Sequence, residues 1–357
     1  MTPLFATRTA ATLLLALAAA LLFEWLRLPL PWMLGPLLAT ASCSIIGMPV
    51  ASWGPLRNAG QCLIGTGLGL YFTPEVVTMV GKLWWAIALS VVWALLLGAG
   101  FSKWLMWSNH RQMPGLTAQT TFFAGSIGGA SEMTILAERH GARTDLVAAG
   151  HSLRVLIVTI SITFALQYGG WHGLDPMQPA SRLVDATGLA MLMPMCVAGA
   201  LLMQKLGRAN PWFLGAFFVS MLLSANHITL SGMPISWSHA AQLFIGVSLG
   251  VRFTPAFVHA APRWLLTCGI GSVVLIGVCA VFGWLLSMPI ALDAATMILS
   301  TAPGGISEMA ITAQVLHLGV PIVTAFQVCR LLAVLVLVEP VFRYGERRLK
   351  ADLGARK

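Results

Sequence analysis

The chain has 357 residues, 57% of them hydrophobic and only 9% charged, with a formal net charge of +9. Soluble domains carry about 25% charged residues, so this composition excludes an ordinary globular domain and reads as an all-α polytopic membrane protein. With about 20 residues per spanning helix, roughly 10 to 12 spans fit, and no stretch is long and polar enough for a separate soluble domain.

Apolar segments run over 8–28, 30–47, 55–72 and 82–107, followed by a short helical piece at 114–126, the pair Gly128-Gly129, a second short piece at 130–140 and a long segment at 144–168. The first of these resembles a signal peptide, but its apolar character resumes directly after Glu24-Trp25-Leu26-Arg27, so a retained span is expected, with cleavage as the alternative. A loop rich in Gly, Pro and His runs from Tyr168 to Arg182. The pattern then returns over 183–204, 211–228, 236–253, 264–288 and 293–302, breaks at Pro303-Gly304-Gly305, and continues over 306–318 and 320–342. The expectation is about ten transmembrane helices plus two broken or re-entrant elements. They divide into a repeat over 1–180, a repeat over 181–342 and a basic tail over 343–357.

The duplication can be followed residue by residue. Pro31-Trp32-Met33-Leu34-Gly35 matches Pro211-Trp212-Phe213-Leu214-Gly215, Gln61 matches Gln242, and Phe72-Thr73-Pro74 matches Phe253-Thr254-Pro255. Gly128-Gly129-Ala130-Ser131-Glu132-Met133 recurs as Gly304-Gly305-Ile306-Ser307-Glu308-Met309, and each copy is followed 22 residues after its glutamate by an arginine in apolar chain, Arg154 and Arg330. Repeats with a broken element at matching places are a mark of transporters.

Lys and Arg set the orientation. They cluster at Lys103–Arg111, Arg139–Arg143, Lys205–Arg208, Arg252–Arg263 and the C-terminal tail, and are missing from 168–181, 228–235 and 288–292. If each broken element dips in and returns to the same side, each repeat has five crossings and the repeats are inverted. All clusters and both termini then face the cytoplasm. If each broken element crosses fully, three clusters fall outside, although a miscounted short span such as 30–47 would restore inversion. The basic tail suits a cytoplasmic flank near anionic lipid better than a nucleic-acid partner.

Ionisable groups inside a membrane are costly and are usually functional or tightly paired. The glycines break helices, and Ser131 and Ser307 suit the N-cap of each returning half-helix, whose N-terminus favours an anion. A packing kink is the plainer alternative. Glu132 and Glu308 are candidates for a proton or sodium coupling site, or else neutralise an arginine at a helix end. Arg154 and Arg330 are expected to pair with them, as a structural ion pair or as one reshaped by substrate. Gln61, with Asn58 one turn before it, and Gln242 are candidate amide ligands, with interhelical hydrogen bonding as the commoner role. His151 and Gln327, each three residues before an arginine, are candidate secondary ligands. Gly65, Gly67, Gly69, Gly246 and Gly250 read as close helix packing. Glu339 and Arg343 form an ordinary i,i+4 pair. The six cysteines and eight histidines show no C-x-x-C or i,i+4 ligand pattern, so no metal or cofactor is expected.

Pro-Trp-x-Leu-Gly, Phe-Thr-Pro and Gly-Gly-x-Ser-Glu-Met, each occurring twice, resemble the AbrB family of bacterial membrane proteins over nearly the whole chain. Members are commonly labelled regulators of gene expression or ammonia monooxygenases, and the resemblance carries over onto Ser131-Glu132-Met133 and Ser307-Glu308-Met309. The monooxygenase label finds no clustered His or carboxylates to support it, and the regulatory label finds no nucleic-acid module. The architecture is also similar in kind to the bile-acid–sodium and sodium–proton transporter groups, by analogy alone. The expected function is an inner-membrane secondary transporter of a small solute, with anions among the candidates, coupled to protons or sodium. A membrane-embedded ligand sensor that regulates indirectly is the alternative. An intramembrane enzyme is not expected, since no nucleophile–base pair stands out.

Overall fold

In the computed structural model, residues 3–171, 183–255 and 261–354 are described, with the side chains of Ser131 and of residues beyond 344 outside that description. Most of the loop expected from Tyr168 to Arg182 lies outside it too. Among the described residues there are fifteen helices and no strand. They are α1 (Pro3–Trp25), α2 (Pro31–Ile45), α3 (Gly54–Gly69), α4 (Pro74–Lys82), α5 (Trp84–Asn109), α6 (Ala118–Gly125), α7 (Ala130–Arg139) and α8 (Thr144–Tyr168), then α9 (Ala186–Lys205), α10 (Pro211–Ala225), α11 (Ile235–Gly250), α12 (Pro262–Ile290), α13 (Ala294–Thr301), α14 (Ile306–Val315) and α15 (Val320–Gly354). Helix α15 carries on through the start of the basic tail.

Six helices are long and apolar enough to cross a membrane, or seven spans if α3 and α4, bent by 87°, count as one. The sequence-based expectation of about ten spans differs because α2, α3, α10 and α11 have only 15 or 16 residues. At 1.5 Å per residue these rise about 23 Å, short of a hydrocarbon layer of about 30 Å.

The duplication is visible in the backbone itself. Ten of the eleven left-handed residues among the described ones, all but Gly170, occur in matching pairs: Arg27 with Gly207, Leu30 with Asn210, Gly47 with His227, Gly115 with Ala291, and Gly141 with His317. Six of these ten are not glycine, so each turn is imposed by the fold on whatever residue stands there.

The repeats do not fold side by side; they interlock. Helices α1, α2 and α3 pack with α9, α10 and α11 in one bundle, with α3 crossing α10 and α11 crossing α2. A second bundle joins α5 to α8 with α12 to α15, with α5 against α15 and α12 against α8. Glycines make the crossings possible. A Cβ at Gly65 or Gly69 would strike backbone of Phe213 or Phe217, and one at Gly246 or Gly250 would strike backbone of Met33 or Leu37. Ser224 Oγ donates to Leu70 O at 3.0 Å, and its counterpart Ser44 donates to Val251 O at 3.4 Å.

These registers fix direction. Contacts advance together along α3 and α10, and likewise along α11 and α2, so each of those pairs runs parallel. Equivalent residues Gly60 and Ala241 meet where α3 crosses α11. Helices α2 and α3 are joined by a short linker and run antiparallel, so α2 and its counterpart α10 point in opposite directions. The repeats are inverted.

Each broken element is a hairpin. The backbone N–H of Arg143, just after α7, donates to Thr120 Oγ1 at the start of α6 at 3.0 Å, and Gly319 donates to Thr296 Oγ1 at 3.1 Å in the second copy. The return helix therefore ends where the entering helix began. Thr117 and Asp293 cap the entering helices by accepting from the N–H groups of Thr120 at 3.3 Å and Thr296 at 2.9 Å. With inverted repeats, the two hairpins enter from opposite faces.

Candidate functional site

The hairpin tips meet at a cavity of about 380 Å³, lying between the two bundles. Its lining includes Gly128, Gly129 and Glu132 from the first tip, and Gly304, Gly305, Ser307 and Glu308 from the second. Arg57, Asn58 and Gln61 on α3 contribute, as do Gln204, Asn210 and Trp212 around the turn between α9 and α10, Arg252 after α11 and Arg330 on α15. The mouth lies on the face that carries the basic clusters. Arg263 donates to Ser108 O at 3.2 Å and His140 lies 3.8 Å from Glu339, which ties the ends of α5, α7 and α15 to that same face. Arg343 and Glu339 form the expected i,i+4 pair at 2.5 Å.

The duplicated motif can be read atom by atom. The second glycine of each pair, Gly129 or Gly305, takes the N-cap place in extended backbone, which puts the serine second and the glutamate third in the helix. The expectation that Ser131 and Ser307 would be the N-caps is thus corrected. The glutamate folds back over that glycine, so that a Cβ there would collide with Oε2 of Glu132 or Glu308. A carboxylate at the third position is where the capping box puts it, and the positive end of the helix dipole favours it there. The first glycine makes room for the methionine: a Cβ on Gly128 would come within 3.0 Å of Met133, and one on Gly304 within 2.8 Å of Met309. Ser307 Oγ donates to Glu308 Oε2 at 3.0 Å. The Ser131 side chain lies outside the described residues.

The arginines do not pair with these glutamates, contrary to the sequence-based expectation. The ion pairs within 4.0 Å among the described residues are His140–Glu339, Arg143–Asp145 and Arg343–Glu339. Arg154 instead donates from Nη2 to Ser126 O at 3.0 Å and to His151 Nδ1 at 2.7 Å, with longer contacts from Nη1 to Ala124 O and Gly125 O. Because His151 Nδ1 accepts, its Nε2 carries the proton and donates to Phe123 O at 2.9 Å. Arg330 donates to Ala302 O at 2.5 Å, to Gly304 O at 2.9 Å and to Gln327 Oε1 at 2.6 Å, while Gln327 Nε2 donates to Leu299 O at 2.8 Å. Each arginine therefore serves the orphan carbonyls at the C-terminal end of an entering half-helix, where a cation also complements the dipole. His151 and Gln327, expected as secondary ligands, hold the arginines in place.

Most of the expected residues come together at the cavity. Arg154 is buried behind the first tip, and Gln242 is buried on α11; neither lines the cavity. Its counterpart Gln61 does. Arg57 and Arg252 were missed. Arg57 lies one residue before Asn58 and one turn before Gln61, which was the available signal, whereas Arg252 was absorbed into a surface cluster.

The family profile described as transition state regulatory protein AbrB matches residues 32–346. The chain is 25% identical over 349 residues to the Bacillus subtilis (strain 168) "Uncharacterized protein YhjN", covering 89% of each chain. It is also 25% identical over 337 residues to the Escherichia coli (strain K12) "Putative regulator AbrB", covering 92% of this chain and 94% of that one. With its doubled Gly-Gly-x-Ser-Glu-Met tips set in an all-helical membrane fold, this chain belongs to the AbrB family.

Proposed function

We propose that this chain is a secondary active transporter of the bacterial inner membrane, with the cavity between the hairpin tips as its solute site. The observation that carries this reading is that inverted repeats bring two re-entrant hairpins from opposite faces to one polar cavity at a bundle interface. Irregular backbone at membrane depth is tolerated where it lines such a cavity, and alternating access follows from rocking one bundle against the other. The volume suits a small solute. Since positive charge marks the cytoplasmic side, the cavity opens to the cytoplasm here, and the C-terminus lies on that side. Glu132 and Glu308 stand at both tips and are assigned to coupling with protons or sodium; no catalysis is assigned to the site.

Uptake into proteoliposomes under imposed proton and sodium gradients tests the reading. Gradient-driven accumulation that is lost in the Glu132→Gln/Glu308→Gln protein is the expected result. The name of the Escherichia coli relative supports a second reading, a membrane sensor using the same cavity. Specific ligand binding without flux by the same purified protein would favour it and sink the transporter.

A further inference from the structure

Three arginines line the cavity against two glutamates, and the two sets do not neutralise each other by contact. Glu132 and Glu308 are folded back over their own glycines. Arg330 spends its terminal nitrogens on backbone carbonyls and Gln327, yet its buried Nε is left without a hydrogen-bond partner. The side chains of Arg57 and Arg252 make neither an ion pair nor a hydrogen bond among the described residues; Arg252 feels Arg57 as a like charge and, more weakly, Glu308 and Glu132 as opposite charges beyond contact distance. Two like charges facing one cavity repel, and a half-buried guanidinium whose counter-charges stay out of contact is incompletely compensated. The arrangement is completed by a molecule that brings negative charge.

Resting on the cavity being the solute site, we propose that Arg57 and Arg252 bind a small dicarboxylate, each guanidinium taking one carboxylate. The planar fork of arginine matches a carboxylate through two parallel hydrogen bonds. A cavity of about 380 Å³ holds a chain of a few carbons between two such groups. Neutral groups complete the lining: the amides of Asn58, Gln61 and Asn210 and the indole N–H of Trp212 suit hydroxyl or oxo substituents on that chain. The arginines come from α3 of one repeat and the end of α11 of the other, so the solute bridges both repeats.

Binding of malonate, succinate and glutarate to the purified full-length protein in detergent is measured by calorimetry, with acetate and inorganic phosphate as comparison probes. The expected result is that one dicarboxylate binds and acetate does not. Arg57→Gln and Arg252→Gln should each weaken binding roughly tenfold or more, the effect of one lost charge-assisted hydrogen bond or two. Arg57→Lys and Arg252→Lys, which keep the charge and lose the fork, should fall between. Phenylglyoxal labelling read by mass spectrometry gives a second measurement on unaltered protein: the bound dicarboxylate should protect Arg57 and Arg252. Unprotected arginines, phosphate binding in place of the dicarboxylates, or unchanged affinity in both glutamine variants would each overturn the assignment. Binding is measured without flux, so the two readings fail separately. A dicarboxylate that binds but is never moved would remove the transporter and leave this site, whereas gradient-driven flux of a neutral solute unaffected by Arg57→Gln would do the reverse.

Discussion

The two hairpins are copies of one motif, yet they stand in different surroundings. In α14 every residue from Ile306 to Ala313 is buried, and the helix packs against α3, α8, α13 and α15. In α7 only Met133 and Ala137 are buried among the described side chains, and its chief neighbours are α6 and α8. The sequences agree with that contrast: where the second copy reads Ala310, Gln314 and Val315, the first has Thr134, Glu138 and Arg139. The difference between the copies is therefore partly written into their sequences, and in the transporter reading the rest of it marks the conformational state. Under the alternating access proposed above, the locked hairpin closes one face, the loosely held one borders the open face, and exchanging the two environments opens the other side.

The largest expected effect separates capping from ion pairing. Arg330→Gln leaves the carbonyl of Gly304 without its donor and that of Ala302 with only Gln327 Nε2 at 3.2 Å, at about 1–3 kcal/mol for a lost partner, and Arg154→Gln should cost less because two of its contacts are long. Thermal melts followed by size-exclusion chromatography should show both losses, with Glu308→Gln nearly neutral. A Glu308→Gln protein as unstable as Arg330→Gln would mean that the carboxylate and the arginine are coupled after all.

Next come the glycines under the carboxylates. Gly305→Ala forces the buried Glu308 carboxylate out of the space it fills over the glycine and should destabilise by about 1–3 kcal/mol, the usual range for overpacking. Gly129→Ala should cost less, because the half-exposed Glu132 can swing into the cavity. Equal losses in the melts would erase the contrast between the hairpins.

A gentler probe compares equivalent isoleucines, with Ile135 51% exposed and Ile311 fully buried. With the six native cysteines replaced by alanine, Ile135→Cys should react with a water-soluble maleimide and Ile311→Cys should not. Conditions that drive the protein to the opposite state should bring the second into reach. The smallest effect belongs to His151→Gln, which gives the first arginine the partner the second already has. Its change in stability should stay within about 0.5 kcal/mol, and a larger loss would show that the imidazole does more than accept from Arg154 and donate to Phe123.

The repeats, the glycine breaks and the two hairpin tips of the cavity could be read from the sequence, because each feature occurs twice and chance does not repeat a spacing. The placement of Lys and Arg favoured the hairpin form but left a fully crossing element open. What stayed hidden depends on through-space partners. Opposite charges 22 residues apart suggest a pair, but nothing in that spacing shows that carbonyls three to five residues before Gly129 take the Arg154 guanidinium in place of Glu132. The short helices were hidden as well, since apolar linkers such as Leu28–Leu30 extend a hydropathy run past the end of the helix itself. Arg252 escaped because a residue at the end of a helix is counted with the surface charges that follow it.

The paired left-handed turns also bear on the history of the chain and on its improvement. At four of the five pairs one copy has glycine, opposite Arg27, His227, Ala291 and His317, and only the pair of Leu30 and Asn210 has none. Each copy thus holds a template for correcting the other. Ala291 can take the glycine of its counterpart Gly115, relieving a strain of about 1–2 kcal/mol in the second copy.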